Sequence, residues 1–367
     1  MITLQTFGLY KLRDMIEKLQ KQALELLQSL IQTQSFSKEE EPTAEILTNW
    51  LTDRGVEVKR DLNNVWATNQ YFDESKPTIL LNSHHDTVKP NQAYTRDPFE
   101  AKIEGDKLYG LGSNDAGGCL VGLMSAFVYF YPQKDLKYNF VLAATAEEEI
   151  SGENGIAYMQ DIMPKIDVAI VGEPTLLDLA IAEKGLVVFD GKVTGTPGHA
   201  AHIPNQQNPI FKALKDLEWI NSYKFPKVSP FLGEVKMTVS QINAGNQHNV
   251  VPSELTFVVD CRVTDQYTNA EIAEIIAENT ECNVIPRSLR LSSSSIDPNH
   301  DIVKSGVALG KKTYGSPTLS DQCRLTCQSV KIGPGDSLRS HSADEFIYVQ
   351  EVYDGVAFYV ELLKGIV

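Results

Sequence analysis

Histidines and carboxylates stand at the ends of apolar runs in this chain, at places where they could meet. Residues 78–82 lead into Ser83-His84-His85-Asp86, and residues 140–145 into Ala146-Glu147-Glu148-Glu149. Residues 168–171 lead into Gly172-Glu173-Pro174, and residues 329–332 through Gly333-Pro334-Gly335 to His341. Asp115 opens a further apolar stretch after Leu111-Gly112-Ser113-Asn114. Singly, each has an ordinary reading: a strand-end histidine is commonly a hydrogen-bonded surface group, and a run of glutamates a solvated face. Together they point elsewhere. Adjacent carboxylates at a buried strand end repel one another and raise each other's pKa, and a divalent cation is the usual way to hold them ionised. Mixed imidazole and carboxylate ligands suit zinc, with cobalt or manganese as substitutes.

The elements that position these groups read as two patterns. Helices are expected over residues 15–36 and 42–54, the second with Pro42 at its start and Gly55 just past its end. The runs 78–82, 140–145 and 168–171 suit strands of a mostly parallel sheet, with residues 115–131 as a covering helix, which makes an α/β layered domain. The rhythm then changes. Strand 186–194, helix 209–221, strands 234–242 and 255–263, helix 269–278 and a last strand 289–293 follow the ferredoxin-like split order. Helix 302–312, strand 329–332 and helix 350–363 resume the first pattern. The simplest architecture is therefore an α/β domain over residues 1–183 and 296–367, carrying an inserted α+β domain over 184–295. In open α/β sheets the site forms beyond the carboxyl ends of the strands, where the polar residues above collect.

Bulk properties narrow the class. With 367 residues, 42% of them apolar, the chain can bury a large core. A net charge of −15 argues against nucleic-acid binding, which needs a basic face. No apolar run approaches the roughly 18 residues that span a bilayer, and residues 1–22 lack a secretory signal pattern, so a cytoplasmic location is expected. The five cysteines are scattered and odd in number, which suits reduced thiols. Cys323 and Cys327 are four apart and would share a helix face as a weak metal pair, against the plainer reading of two ordinary thiols.

The site segments resemble a known family. Ser83-His84-His85-Asp86-Thr87-Val88, Gly112-Ser113-Asn114-Asp115-Ala116-Gly117-Gly118, Thr145-Ala146-Glu147-Glu148-Glu149, Gly172-Glu173-Pro174-Thr175 and His341 look like the five site motifs of the acetylornithine deacetylase, succinyl-diaminopimelate desuccinylase, aminoacylase and glutamate carboxypeptidase family, in its order. The resemblance implies a dinuclear zinc amidohydrolase with a ferredoxin-like insertion that forms a homodimer. Carried over by position, Asp115 would bridge two metals, His84 and Glu173 would complete one, and Glu149 and His341 the other. Glu148 would be the general base, and Asp86 would orient His84 from behind. His84 rather than His85 is the ligand, because the motif is His-x-Asp and strand neighbours face opposite ways.

The inserted segment resembles the family in two further places. Thr196-Pro197-Gly198-His199-Ala200-Ala201 looks like the segment whose histidine reaches the oxyanion from the partner subunit, a donor of a kind whose loss costs about 10²–10³ in turnover. Asn249-Val250-Val251-Pro252 and Asp260-Cys261-Arg262 look like the segments that bind the substrate carboxylate, a task suited to the arginine fork. The ordinary alternatives are a surface loop for His199 and a strand-end salt bridge for Arg262. The chain departs from many members at Leu111, Gly117 and Glu147, none of which is a ligand or the base. The segment from Lys331 to Glu345 is most like acetylornithine deacetylase-like enzymes, so the expected substrate is an N-acetyl or N-succinyl amino acid of the ornithine or citrulline type. The alternatives are a peptidase of the same clan and a non-catalytic binding protein on this scaffold.

Overall fold

The computed structural model describes residues 4–367, with side chains from residue 13 onward, so the reading of the chain's first residues falls partly outside it. Helix α1 (Leu4–Ile31) stops short of residue 36, because Phe36 makes a parallel bridge with Thr87 instead. Helix α2 (Glu41–Thr52) carries Pro42 in its first turn, where the missing N–H costs nothing. Strands β1 (Lys59–Asp61), β2 (Asn64–Thr68) and β3 (Thr78–His84) follow. Helix α3 (Gly118–Phe130), strand β4 (Asn139–Thr145), helix α4 (Ile156–Ile162) and strands β5 (Val168–Val171) and β6 (Leu179–Glu183) come next.

The chain divides into two compact units, one of residues 1–181, 296–314 and 320–367 and the other of 182–295 and 315–319. In the second unit, strand β7 (Gly185–Thr194), helix α5 (Pro209–Ser222), strands β8 (Lys236–Ala244) and β9 (Glu254–Val263), helix α6 (Asn269–Asn279) and strand β10 (Asn283–Pro286) build one layer pair. The sheet order is β8-β9-β7-β10, antiparallel throughout, which is the order of a split β-α-β motif. Val187, Phe189 and Val193 alternate inward on β7 and share a core with Ala213 and Ile220 of α5 and Ile272 and Ile276 of α6. Thr268 starts α6 with a reciprocal capping box to Glu271.

Two expectations are corrected here. The last strand is β10, not residues 289–293, of which Leu291 makes only an isolated bridge to Leu186. Pro286 disguised it: proline reads as a strand breaker, yet it is tolerated on the edge of a sheet, where β10 lies. Residues 315–319 belong with the second unit, where Gly315 packs on the Phe231 carbonyl so closely that a Cβ would collide with it.

The chain returns to the first unit through helix α7 (Asp301–Ala308), strand β11 (Gln328–Lys331) and helix α8 (Val349–Lys364). Helix α7 ends before residue 312 because Gly310, at φ +82°, turns the chain. The sheet path is β1-β2-β4-β3-β5-β11-β6. Its four central strands, β4-β3-β5-β11, are parallel, whereas β2 and β6 flank them antiparallel, so the sheet is mixed. Both faces are covered. Ile79 and Leu81 of β3 join a core with Leu27 of α1, Phe127 of α3 and Tyr359 of α8, while Leu80 between them packs with Trp66 and Met159 on the other side. Helix α3 is buried nearly all round, as its apolar sequence requires. Cys323 sits in the short turn Asp321–Arg324 and Cys327 just ahead of β11, so the two share no helix, and all five cysteines are free thiols. Among the described residues, no helix is long and apolar enough to cross a membrane.

Candidate metal centre

Four parallel neighbours ending at one edge bring their C-terminal residues together. His84 is the last residue of β3 and almost fully buried. Its Nδ1 lies 2.9 Å from the Asp86 backbone carbonyl, which can only accept, so Nδ1 carries the hydrogen. Nε2 is buried with no hydrogen-bond partner and lies 3.4 Å from Asp115 Oδ1 and 3.7 Å from Glu173 Oε1. His85 faces the other way, to the Thr43 hydroxyl and the Asn63 carbonyl, each at 2.9 Å, and burial pushes its pKa down to about 4.

Asp115 sits in a turn, Ser113–Gly117, that leads into α3, and the Asp115–Ala116 peptide is cis. The backbone N–H groups of Asn114 and Asp115 donate to the buried Glu345 carboxylate at 2.8 and 3.0 Å, which fixes that turn. One Asp115 oxygen faces His84, and the other lies 3.5 Å from His341 Nε2. A single carboxylate thus stands between two imidazoles. Glu149 Oε2 is 2.9 Å from the same His341 nitrogen. His341 itself is on the loop after β11, at φ +57°, with its side chain about half exposed.

The glutamate run divides. Glu147 turns back to the Asn154 side chain at 2.9 Å, while its N–H donates to the buried Glu40. Glu148 and Glu149 begin a short 3-10 turn whose N–H groups donate to the two Asp86 oxygens, at 3.0 and 3.2 Å. Asp86 therefore anchors the Glu148–Glu149 turn with its carboxylate and orients His84 with its backbone carbonyl. Its carboxylate is the longer contact to His84, at 3.4 Å. Potential ligand atoms of His84, Glu148 and Glu173, and again of His84, Asp115 and Glu149, all fall within 4.8 Å of one another. Glu148 is thus within ligand reach alongside His84 and Glu173.

The electrostatics favour positive charge at this cluster. Burial, with the neighbouring Asp115, lifts the Glu173 carboxyl to about 8. Burial lifts Glu148 well above the ordinary range, with Glu173, Asp321 and Glu149 adding to it against the opposing pull of His84. His341 rises to about 9, first through its bond to Glu149. For His84, burial opposes charge, but the nearby carboxylates of Asp115 and Asp86, with Glu148 and Glu173 beyond them, hold the imidazole well above its usual value. A partnerless buried imidazole nitrogen aimed into a knot of carboxylates is a donor set for divalent cations, with oxygen and nitrogen ligands and no thiolate.

Three participants carried no signal in the sequence reading. Asp321 accepts the Thr145 hydroxyl at 2.7 Å and is raised to about 6 by burial. Glu345 holds the Asp115 turn, and Glu40 accepts the N–H groups of Lys38 and Glu147. Of the three, only Glu345 lies in the family-like Lys331–Glu345 segment.

His199, Asn249 and Arg262 lie in the second unit. Gly198–His199 pairs antiparallel with Val250–Val251, and the Asn249 carbonyl accepts the Ala200 N–H at 2.9 Å, so His199 and Asn249 are neighbours on one exposed ribbon. Arg262, on β9, makes two bonds to Asp260, at 2.9 and 3.1 Å, which is the strand-end pairing weighed above. His202 and His248 are exposed, and His300 accepts the Ile302 N–H at the start of α7.

Comparison with known proteins gives the fold and the family. The chain is 28% identical over 328 residues to the acetylornithine deacetylase of Buchnera aphidicola, covering 83% of this chain and 85% of the other. It is 28% identical over 348 residues to the succinyl-diaminopimelate desuccinylase of Orientia tsutsugamushi, covering 89% and 86%. Its fold matches an aminopeptidase of Bacillus cereus with a TM-score of 0.74 at 17% identity, over 95% and 98% of the two chains. It also matches a dinuclear metal binding peptidase of Bacillus subtilis with a TM-score of 0.70 at 15% identity, again over 95% and 98%. Residues 80–365 match the profile of peptidase family M20/M25/M40, and the chain belongs to that family.

Proposed function

We propose that this chain hydrolyses the amide bond of an N-acyl amino acid, with N-acetyl- or N-succinyl-ornithine and -citrulline as the substrate type, as in arginine biosynthesis. The observation that carries this reading is Asp115 standing between His84 and His341, with Glu148 beside His84 and Glu173. The names of the two curated relatives, each matched over more than four-fifths of its length, support the substrate class. His84, Glu173 and Asp115 would hold one cation, and Asp115, Glu149 and His341 the other, zinc in each case with cobalt or manganese as substitutes.

Such cations supply Lewis acidity toward the amide carbonyl and a lower pKa for water. The chain's own residues do the rest. Glu148 takes the proton of the attacking water and passes it to the leaving amine. Its turn is held on the Asp86 carboxylate, so the base is placed by backbone rather than by its own flexible chain. In a homodimer formed through the second unit, His199 of one copy would donate to the oxyanion in the other. Asn249 and Arg262 would take the substrate carboxylate, Arg262 by exchanging the Asp260 oxygens for it. A cytoplasmic location fits this chemistry.

The test is a panel given to the zinc-loaded chain: N-acetyl and N-succinyl forms of ornithine and citrulline, with two unmodified dipeptides. Strong preference for one acyl compound, abolished by a chelator, is the expected result. The family also contains peptidases, and turnover of the dipeptides alone would move the chain to that branch.

A further inference from the structure

His341 is the most exposed of the five proposed ligands, and its own packing does not fix it. Its turn has to. The Arg339 carbonyl accepts the Ser342 hydroxyl at 2.7 Å and the Ser342 N–H at 3.4 Å, so residues 339–342 close a loop around His341. The Asn91 side chain donates to the His341 carbonyl at 3.1 Å, but both groups are exposed.

The firm anchor is the Arg339 side chain. Its two terminal nitrogens donate to the two Glu351 oxygens at 2.8 and 2.7 Å, a fork-to-fork pair. The guanidinium lies 5.1 and 5.3 Å from the ring centres of Phe346 and Tyr348, and only 13% of the arginine side chain and 22% of the glutamate are exposed. Glu351 is itself held, because it also accepts the Tyr348 N–H at 3.1 Å as part of the capping box of α8. Helix α8 is locked into the main core by Val352, Val356 and Tyr359. A ligand on a half-exposed loop is thereby tied to a buried helix through one side chain.

We infer that Arg339 is a positioning residue whose clamp on Glu351 fixes the His341 turn and sets the affinity of the cation shared by Asp115, Glu149 and His341. This rests on the two-cation reading above. His341 is the only proposed ligand on the Arg339 loop. Although Ser340 and Asp336 of that loop bond to Asp115 and Asn114, His84 and Glu173 are held by other elements, so the cation they share with Asp115 keeps its affinity when the clamp is lost. An Arg339 with a merely structural role would not separate the two.

The experiment is calorimetric titration of Zn2+ into the chelator-stripped full chain, with the melting temperature of the stripped protein alongside. The wild type binds two Zn2+. Arg339→Met keeps one at wild-type affinity and weakens the other about 10–100-fold, the range for lost outer-shell support, while the stripped protein melts within a few degrees of wild type. Arg339→Lys keeps the charge without the fork and falls between, and it carries the test if the methionine variant does not fold. Two unchanged affinities in the variants, or equal weakening of both with a lowered melting temperature, overturn the inference. A wild type that binds a single Zn2+ overturns the two-cation reading instead.

Discussion

Glu148 carries the sharpest consequence at the scale of residues. It is placed by Asp86 through its backbone, so removing its carboxylate should leave the ligand cluster standing. Glu148→Ala is expected to retain both cations by elemental analysis while turnover falls about 10²–10⁴-fold, the usual share of a positioned general base. Turnover near wild type would remove Glu148 from that role. The pH behaviour of the metal-free protein follows from the same cluster. Burial holds Glu173 and Glu345 near 8 against an ordinary 4.5, and the bond to Glu149 holds His341 near 9 against 6.5. Raised folded-state values mean stability that is present at low pH and lost as pH climbs from about 4.5 to 9. Asp86 and Asp115, both lowered below 3.8, contribute fully above that value and do not reverse the trend. The melting temperature of the chelator-treated chain should therefore fall between pH 5 and 9, and Zn2+ should restore more at pH 8 than at pH 6. The residues at strand ends were legible because their types and the runs before them coincide. Asp321, Glu345 and Glu40 were not, because an isolated acid looks like surface until the fold buries it.

At the scale of elements, the site depends on β3 and its parallel neighbours being held in register under it. Leu81 is fully buried between those strands and the helices of the main core. Leu81→Ala should cost about 2–5 kcal/mol in denaturant unfolding. Thr268→Ala, which removes only the cap of α6 in the second unit, should cost about 1 kcal/mol. An equal loss in both would mean that core packing under the site is not what holds it. Continuous apolar runs made the buried parallel strands readable. The flanking β1 and β2 are short and were not read, and β10 hid behind Pro286. What tertiary packing decides, a periodicity argument on one segment does not see.

For the whole molecule, an alternation of patterns along the chain was enough to expect an insertion, whereas the flanking antiparallel strands and the place of residues 315–319 depend on contacts between distant segments. Of the chain's 48 acidic residues, Asp115, Glu148, Glu149 and Glu173 gather around His84, where cations would neutralise them. The most direct test of that claim is anomalous diffraction at the zinc edge from crystals grown with Zn2+. Two peaks are predicted, one among His84, Asp115 and Glu173 and the other among Asp115, Glu149 and His341. No peak in this cluster, or zinc bound only elsewhere, would contradict the account.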